Sequence, residues 1–104
     1  MSSLNDLQHR IDLWHRTNFG TLPDIFVMTK LTEEVGEAAR AIVRLYHGAQ
    51  GKSVDPESAM HLRDALGDIM FVLMNLANNH RWSLDTIIHE VADEVLSRDY
   101  TKKA

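Results

Sequence analysis

Interruptions of helical spacing are rare along this chain, which has only two prolines and five glycines among 104 residues. Apolar residues recur every three or four positions almost throughout, as they do on the buried side of α-helices. The spacing predicts four helices, no strand and therefore the all-α class. The expected helices run from Leu4 to about Thr17, from Pro23 to Gly48, from Pro56, capped by Asp55, to about Asn79, and from Leu84, capped by Ser83, to Leu96.

Each predicted helix has a stripe that we expect to face the core. The first stripe is Leu4, Leu7, Ile11 and Trp14, and the second is Met28, Leu31, Val35, Ala38, Ile42 and Leu45. The third helix is apolar on nearly every side from Ala65 to Ala77, and three neighbouring helices are few to cover it. We therefore expect one bundle-like helical domain over residues 1–104, assembled as a homodimer or homotetramer.

Composition and charge narrow the function classes. The chain has no cysteine, so a disulfide framework and a thiolate zinc site are excluded. A net charge of −4 without a basic stripe argues against DNA or RNA as the main partner. The longest apolar run, Ile69 to Met74, is far shorter than the roughly 20 residues of a membrane helix, and no signal pattern precedes it. We expect a cytoplasmic protein.

Three acidic residues crowd one arc of the second helix. At about 100° per residue, Glu33, Glu34 and Glu37 lie within roughly 60° of their neighbours on that arc. Like charges at this spacing destabilise a bare helix, so the arrangement favours a bound cation. A solvated face with Lys30 and Arg40 as ion-pair partners is the alternative. Glu34 lies closest to the apolar stripe, and we expect it to be half-buried.

A further acid interrupts the most apolar helix. Asp68 follows Leu66 and Gly67 and precedes Ile69, Met70 and Phe71, so we expect little access of water to its carboxylate. A buried aspartate costs several kcal/mol unless it is paired, hydrogen-bonded or coordinated to a metal. Asp64 lies one turn earlier on the same face. Pairing of Asp68 with Arg63, or with an arginine of another helix, is the alternative.

Two facing helices with inward carboxylates would form an all-oxygen site, which suits Mg²⁺ or Mn²⁺ rather than zinc or copper. A di-iron bundle is excluded because none of the six histidines follows a glutamate by three residues. Gly36 and Gly67 lie beside these acids inside helices, although glycine costs a helix about 1 kcal/mol relative to alanine. We expect them to permit close helix approach or to leave room for a ligand.

Two segments resemble a known family. Lys30-Leu31-Thr32-Glu33-Glu34-Val35-Gly36-Glu37, followed by Leu66-Gly67-Asp68-Ile69-Met70-Phe71-Val72-Leu73, resembles the MazG-like all-α nucleotide pyrophosphohydrolases. Their signature is Glu-Glu-x-x-Glu followed by Glu-x-x-Asp, and the resemblance spans roughly residues 10 to 96. The first half is intact. The second departs from it, because Ala65 stands where the family has glutamate and an acid, Asp64, comes one residue earlier.

The resemblance implies magnesium-dependent hydrolysis of nucleoside triphosphates, usually deoxynucleotides, to the monophosphate and pyrophosphate. It implies metal ligands at Glu34, Glu37 and Asp68, with Asp64 as a further ligand. Glu33 is the candidate for orienting or deprotonating the attacking water, or for a second metal. The candidate substrate contacts are Trp14 and Phe19 for the base, Asn75 and Asn78 for a base or sugar edge, and Lys30 for the phosphates.

Plainer roles stay open for several of these residues. Trp14 also continues the first apolar stripe, Asn78 could bond a helix end, and Lys30 could pair with Glu33 or Glu34. Phosphoribosyl-ATP or a deoxyuridine nucleotide is the alternative substrate. A helical module that binds a nucleotide or a protein partner without turnover is the alternative from another class, with Ala65 marking an incomplete site.

Overall fold

The computed structural model describes residues 3–51 and 55–101 and contains four helices. They are α1 (Leu4–Phe19), α2 (Asp24–Ala49), α3 (Ser58–Asn79) and α4 (Leu84–Leu96). Neither described range contains a strand. The predicted all-α class and the order of the helices are confirmed. Of these helices, none is both long and apolar enough to cross a lipid bilayer.

Local chemistry sets the helix ends. The Ser3 hydroxyl accepts the Asp6 N–H at 3.1 Å and caps α1, and the Ser83 hydroxyl accepts the Thr86 N–H at 3.1 Å and caps α4 as predicted. Gly20, at a φ of 70°, ends α1 in a conformation that residues with a Cβ disfavour.

The start of α3 was predicted two residues too early, because its cap is Glu57 rather than Asp55. The Asp55 carboxylate accepts the Glu57 N–H at 2.9 Å, and the Asp55 carbonyl accepts the Ser58 N–H at 3.1 Å. These bonds close a turn at residues where the sequence had indicated a capped first helical turn. An aspartate before proline serves either purpose, which is why the pattern misplaced the boundary.

Helices α2 and α3 form the main packing unit of the chain. Small side chains dominate the buried positions between them, which allows the two helix axes to approach closely. The buried residues of α2 are Val27, Glu34, Ala38 and Ala41, and those of α3 include Ser58, Ala65 and Val72. The acidic residue Glu34 therefore lies within the core seam.

A buried glutamine joins α1 to the end of α3 and the start of α4. The Gln8 amide donates to the Asn78 side-chain oxygen at 2.9 Å and to the Trp82 carbonyl at 2.7 Å. Its oxygen accepts the Leu84 N–H at 2.9 Å, and the Asn78 amide donates to the Gln8 carbonyl at 3.1 Å. Because both polar atoms of the side chain are paired, its burial carries little penalty.

Much of the predicted core is exposed in the single chain. Leu7 and Trp14 of α1 are exposed, and α4 has no buried residue although Ile88, Val91 and Val95 form an apolar stripe. The accessible surface is 8161 Å², whereas a folded monomer of 11.9 kDa exposes about 5,900 Å². The radius of gyration is 17.4 Å against about 13 Å for a compact domain of this length. The isolated chain leaves apolar surface uncovered.

Helix α2 explains part of this difference because it carries two apolar stripes. The inner stripe faces α3 and comprises Val27, Leu31, Glu34, Ala38, Ala41 and Leu45. The outer stripe is exposed and comprises Ile25, Met28, Thr32, Val35, Ala39, Ile42 and Tyr46. The predicted core stripe mixed members of both, since each stripe repeats at three and four residues.

Candidate metal centre

Three carboxylates from two helices converge beside the α2–α3 seam. Glu34 and Glu37 of α2 and Asp68 of α3 each offer an oxygen, and these oxygens lie within 4.8 Å of one another. In residues 3–51 and 55–101 it is the one group of three or more potential metal-ligating side chains at such spacing. We call this group the carboxylate cluster.

Glu34 is more deeply buried than the sequence indicated, with 4% of its surface exposed. One carboxylate oxygen lies 3.0 Å from the Lys30 ammonium, which compensates part of the buried charge. The other oxygen is buried and has no hydrogen-bond partner among the described residues. A buried acceptor without a partner is costly, and a cation at this position would satisfy it.

Asp68 is exposed, contrary to the expectation that its apolar neighbours shield it. The expected shielding fails because Leu66, Met70 and Phe71 are themselves exposed in the single chain and leave Asp68 accessible to water. Arg63 makes no ion pair with Asp68.

The electrostatics at Asp68 favour a cation. Partial desolvation raises the pKa of Asp68 above its ordinary value, and the charges of Glu34 and Asp64 add to the increase. Lys30 acts in the opposite direction and lowers this pKa. The carboxylates therefore carry more negative charge than their neighbours neutralise. All-oxygen donors in this state fit a hard divalent cation.

The two other predicted acids lie outside the carboxylate cluster. Asp64 is exposed one turn before Asp68 and lines a cavity of about 360 Å³ together with Glu37 and Asp68. The Glu33 side chain is 61% exposed, and its carboxylate lies 3.7 Å from the Lys30 ammonium. Ala65, at the position of the missing family glutamate, is buried on the inner side of α3.

Aromatic rings form a partly exposed group at the end of α1. The ring centroids of Trp14 and Phe19 are 5.6 Å apart, and those of Trp14 and Phe71 are 6.0 Å apart, both in edge-on geometry. Phe71 was not among the predicted site residues. Its position three residues after Asp68, on one side of α3, is the signal that could have identified it.

The remaining predicted substrate contacts differ in availability. Asn75 and Asn78 both line a polar cavity of about 380 Å³ between α1 and the end of α3. The Asn78 amide is already bonded to Gln8, whereas the Asn75 side chain has no hydrogen bond within the described ranges. Lys30 is engaged with Glu34, and that hydrogen bond raises the pKa of the lysine.

The helical glycines do not mark a close approach within the chain. A Cβ added at Gly36 or Gly67 would meet no atom within 4 Å. The expectation of tight α2–α3 contact at these positions was wrong, because the small residues of the inner stripes serve that purpose instead. Open space beside both glycines is consistent with the other expectation, room for a ligand.

Two arginines that sequence reasoning did not assign to the site line the same cavity as Asp64. Arg40 and Arg44 follow Glu37 by three and seven residues, so all three side chains lie along one flank of α2. That spacing was visible in the sequence, but Arg40 was considered only as an ion-pair partner of the neighbouring acids.

Comparison with known proteins identifies the family. The family model of the MazG nucleotide pyrophosphohydrolase domain matches residues 25–101 of the sequence, which include the whole carboxylate cluster. The chain belongs to the MazG nucleotide pyrophosphohydrolase family. This confirms the resemblance noted in the sequence and the expectation of a nucleotide pyrophosphohydrolase, a hydrolase of acid anhydrides.

Two relatives extend the MazG match to nearly the whole chain. The uncharacterized protein YpjD of Bacillus subtilis strain 168 is 31% identical over 101 residues, which cover 96% of this chain and 86% of YpjD. The crystal structure of the Bacillus-conserved MazG protein, a nucleotide pyrophosphohydrolase, matches with a TM-score of 0.72 and 25% identity over 98% of each chain. The four-helix MazG architecture therefore includes α1 as well as the matched domain.

Proposed function

We propose that this MazG-family protein hydrolyses nucleoside triphosphates, deoxynucleotides foremost, to the monophosphate and pyrophosphate with Mg²⁺, and that Mn²⁺ can replace Mg²⁺. The convergence of Glu34, Glu37 and Asp68 carries this proposal, because one buried oxygen of the cluster lacks a hydrogen-bond partner among the described residues. The corresponding role is removal of unwanted nucleotides from the cytoplasmic pool.

Each acid has a part in the proposed reaction. The three clustered carboxylates hold the metal, which when bound neutralises phosphate charge and polarises the phosphorus–oxygen bonds. Asp64 serves as the further ligand. Glu33 accepts a proton from the attacking water, whose oxygen bonds to the α-phosphorus. The bond from that phosphorus to the oxygen bridging to the β-phosphorus breaks, and its electron pair leaves with pyrophosphate.

The nucleoside end has its own contacts in this proposal. The exposed faces of Trp14 and Phe19 offer a surface on which a base can stack, and Asn75 offers a free amide for a base or sugar edge. Asn78 supports this region through Gln8, and Lys30 lies beside the cluster where phosphate oxygens would arrive.

A second copy of the chain is the proposed cover for the outer stripe of α2. Its seven positions alternate at three and four residues, the spacing of a helix that packs against another helix over its whole length. The chain exposes about 2,200 Å² more than a compact monomer, which is what one subunit of an obligate homodimer buries. A homotetramer requires a further surface. The net charge of −4 argues against DNA or RNA as the main partner.

The test is an assay of the purified chain with the eight common NTPs and dNTPs, with and without Mg²⁺. Pyrophosphate and orthophosphate are measured separately. We expect magnesium-dependent pyrophosphate from a subset of nucleotides, together with the matching monophosphate. Orthophosphate without pyrophosphate would contradict the proposed bond cleavage.

Absence of product from all eight nucleotides would contradict the proposal as stated. Phosphoribosyl-ATP and deoxyuridine nucleotides are then the next substrates to assay. Tight nucleotide binding without turnover would instead identify the non-catalytic module, for which the buried Ala65 is the specific observation.

A further inference from the structure

A cavity of about 360 Å³ adjoins the carboxylate cluster. It lies between residues 37–44 of α2 and residues 61–68 of α3, and Glu37 and Asp68 belong to both its wall and the cluster. Along α3 the cavity extends from Asp68 toward the helix N-terminus. Asn75 lies in the opposite direction, about 10.5 Å beyond Asp68 along the helix axis. The cluster therefore separates two chemically different regions.

The cavity is lined by two arginines that are unpaired within the part of the chain that the structure describes. Neither Arg40 nor Arg44 makes an ion pair or a side-chain hydrogen bond with any described residue. This is notable because Asp64 lines the same cavity. His61 also lines the cavity, and its Nε2 lies 3.7 Å from the Glu57 carboxylate.

The arginines stand at successive distances from the cluster. Arg40 is about 4.5 Å and Arg44 about 10.5 Å beyond Glu37 along the axis of α2, and both are on the flank that carries Glu37. A guanidinium offers paired N–H groups that match two oxygens of one phosphate. Two such groups in line with the cluster fit an anion that contains two linked phosphates.

We propose that Arg40 and Arg44 bind the β- and γ-phosphates of the substrate, so that the leaving pyrophosphate points toward the N-terminal half of α3. This rests on the proposed pyrophosphohydrolase activity. The nucleoside then lies toward Asn75 and the rings of Trp14, Phe19 and Phe71. When the bond to the α-phosphorus breaks, its electron pair adds negative charge to the pyrophosphate oxygens, and the two guanidinium groups stabilise that charge.

The experiment measures binding of inorganic pyrophosphate to the full chain in Mg²⁺ by calorimetry, without turnover. The variants are Arg40→Gln and Arg44→Gln, with Arg44→Lys to retain charge without the paired donors. Arg63→Gln is the matched control, since Arg63 is an exposed arginine on α3 outside the cavity and without an ion pair in the described ranges. Circular dichroism and thermal midpoints verify that each variant folds.

We expect each glutamine variant to weaken pyrophosphate binding by about tenfold to hundredfold, the range for a lost charged hydrogen bond. Arg44→Lys loses less, and Arg63→Gln binds like the wild type. Binding of the four common deoxynucleoside monophosphates stays unchanged in all variants. In steady-state assays, inhibition by pyrophosphate weakens in the same order.

Three results would overturn the proposal. They are unchanged pyrophosphate binding in both glutamine variants, weakened monophosphate binding in place of pyrophosphate binding, and a wild-type protein that does not bind pyrophosphate. Failure of the proposed activity is distinct from these results. It would show as arginine-dependent pyrophosphate binding in a protein that hydrolyses no nucleotide.

Discussion

At Glu34, burial and negative charge coincide. Its carboxylate belongs to the inner stripe of α2, where the other members are valine, leucine and alanine. Lys30 contacts one oxygen, and the other lacks a partner within the described residues. An incompletely paired buried charge costs several kcal/mol. An apolar side chain at this position would avoid that cost, so stability alone does not explain a glutamate here. A metal ion bound to the second oxygen of Glu34, as proposed, would compensate the buried negative charge.

Replacing Glu37 by Gln or Asp68 by Asn tests the cluster at its two exposed members. We expect turnover to fall by more than about 100-fold. Mutation of residues that only hydrogen-bond to the ligands of a metal already lowers affinity or activity by about 10–100-fold. Glu90→Gln is the control, because Glu90 is an exposed acid on α4 outside the cluster. The readouts are initial rates and thermal midpoints with and without Mn²⁺.

The fold is expected to survive both changes. Metal-free Asp68→Asn protein should melt at or above the wild-type midpoint, because partial desolvation and the charges of Glu34 and Asp64 oppose ionisation of Asp68. A fully active Asp68→Asn enzyme would refute the assignment of the cluster.

Asp64 tests the departure from the family signature. If it acts as the further ligand, Asp64→Ala lowers turnover by at least about 10-fold and raises the Mg²⁺ concentration needed for half-maximal rate. A magnesium titration of the initial rate measures both effects. Full activity at unchanged Mg²⁺ dependence would show that the site works with the three clustered carboxylates alone.

Asp24 gives a pH-dependent contribution to stability. Its carboxylate accepts a hydrogen bond from the Asn79 amide at 3.0 Å and lies 2.5 Å from the His80 ring. These bonds, Asn79 first, lower the pKa of Asp24 from 3.8. The stabilisation is thus fully present above the unfolded pKa near 3.8 and is lost as the pH falls through the lower folded value.

Asp24→Asn should therefore unfold at lower urea than the wild type at pH 5 to 7, and the difference should vanish below the folded pKa. Asp6→Asn is the control, since Asp6 also lies in a first helical turn but makes no side-chain hydrogen bond within the described ranges. The Asp6→Asn control measures the effect of losing a first-turn charge near the helix dipole, so that the effect of the Asp24 hydrogen bonds can be distinguished from it. A difference between wild type and Asp24→Asn that persists unchanged below the folded pKa of Asp24 contradicts this explanation.

The candidate site was predictable in part. The spacing of Glu34 and Glu37 on one helix and the apolar surroundings of Asp68 on another brought the three acids together in the prediction, and the structure places their oxygens within 4.8 Å of one another. The burial of Asp68 was wrong, because neighbours in sequence do not reveal whether they are themselves covered. The arginines were overlooked because a cavity exists only once two helices are placed together.

At the scale of elements, α2 carries two apolar stripes on different sides of the helix. One stripe packs on α3, and the other is the exposed outer stripe. Sequence periodicity identified the helix but not the side of each apolar residue, since both stripes satisfy the same spacing. The same limit applies to α1, where Ile11 of the predicted stripe is buried but Leu7 and Trp14 are exposed. A single sequence specifies that a face is apolar and leaves open whether the same chain covers it.

A charge in the centre of the outer stripe tests the proposed pairing of subunits. Val35→Asp or Ile42→Asp should convert the oligomer to a monomer, because two copies would bury an unpaired carboxylate at the seam. Light scattering after size-exclusion chromatography measures the mass. Leu96→Asp, an equally drastic change at an exposed position on α4, should leave the mass unchanged. A monomeric wild type, or dissociation by Leu96→Asp alone, would contradict this seam.

For the whole molecule, shape and chemistry have a common explanation. The excess surface and the radius of gyration of 17.4 Å support the proposal that a second copy completes the fold. Cover over Leu66, Met70 and Phe71 would also exclude water from one side of Asp68. Assembly would then strengthen the electrostatics of the metal centre, since charges interact more strongly in drier surroundings.

The most direct test of the central claim is a crystal of the protein grown with Mn²⁺, with diffraction recorded near the manganese absorption edge. We predict an anomalous peak at about 2.0–2.3 Å from oxygens of Glu34, Glu37 and Asp68, the distances of hard cations to carboxylates. Loss of the peak in Asp68→Asn crystals would complete the result. A manganese peak elsewhere, with none at the cluster, would contradict the account.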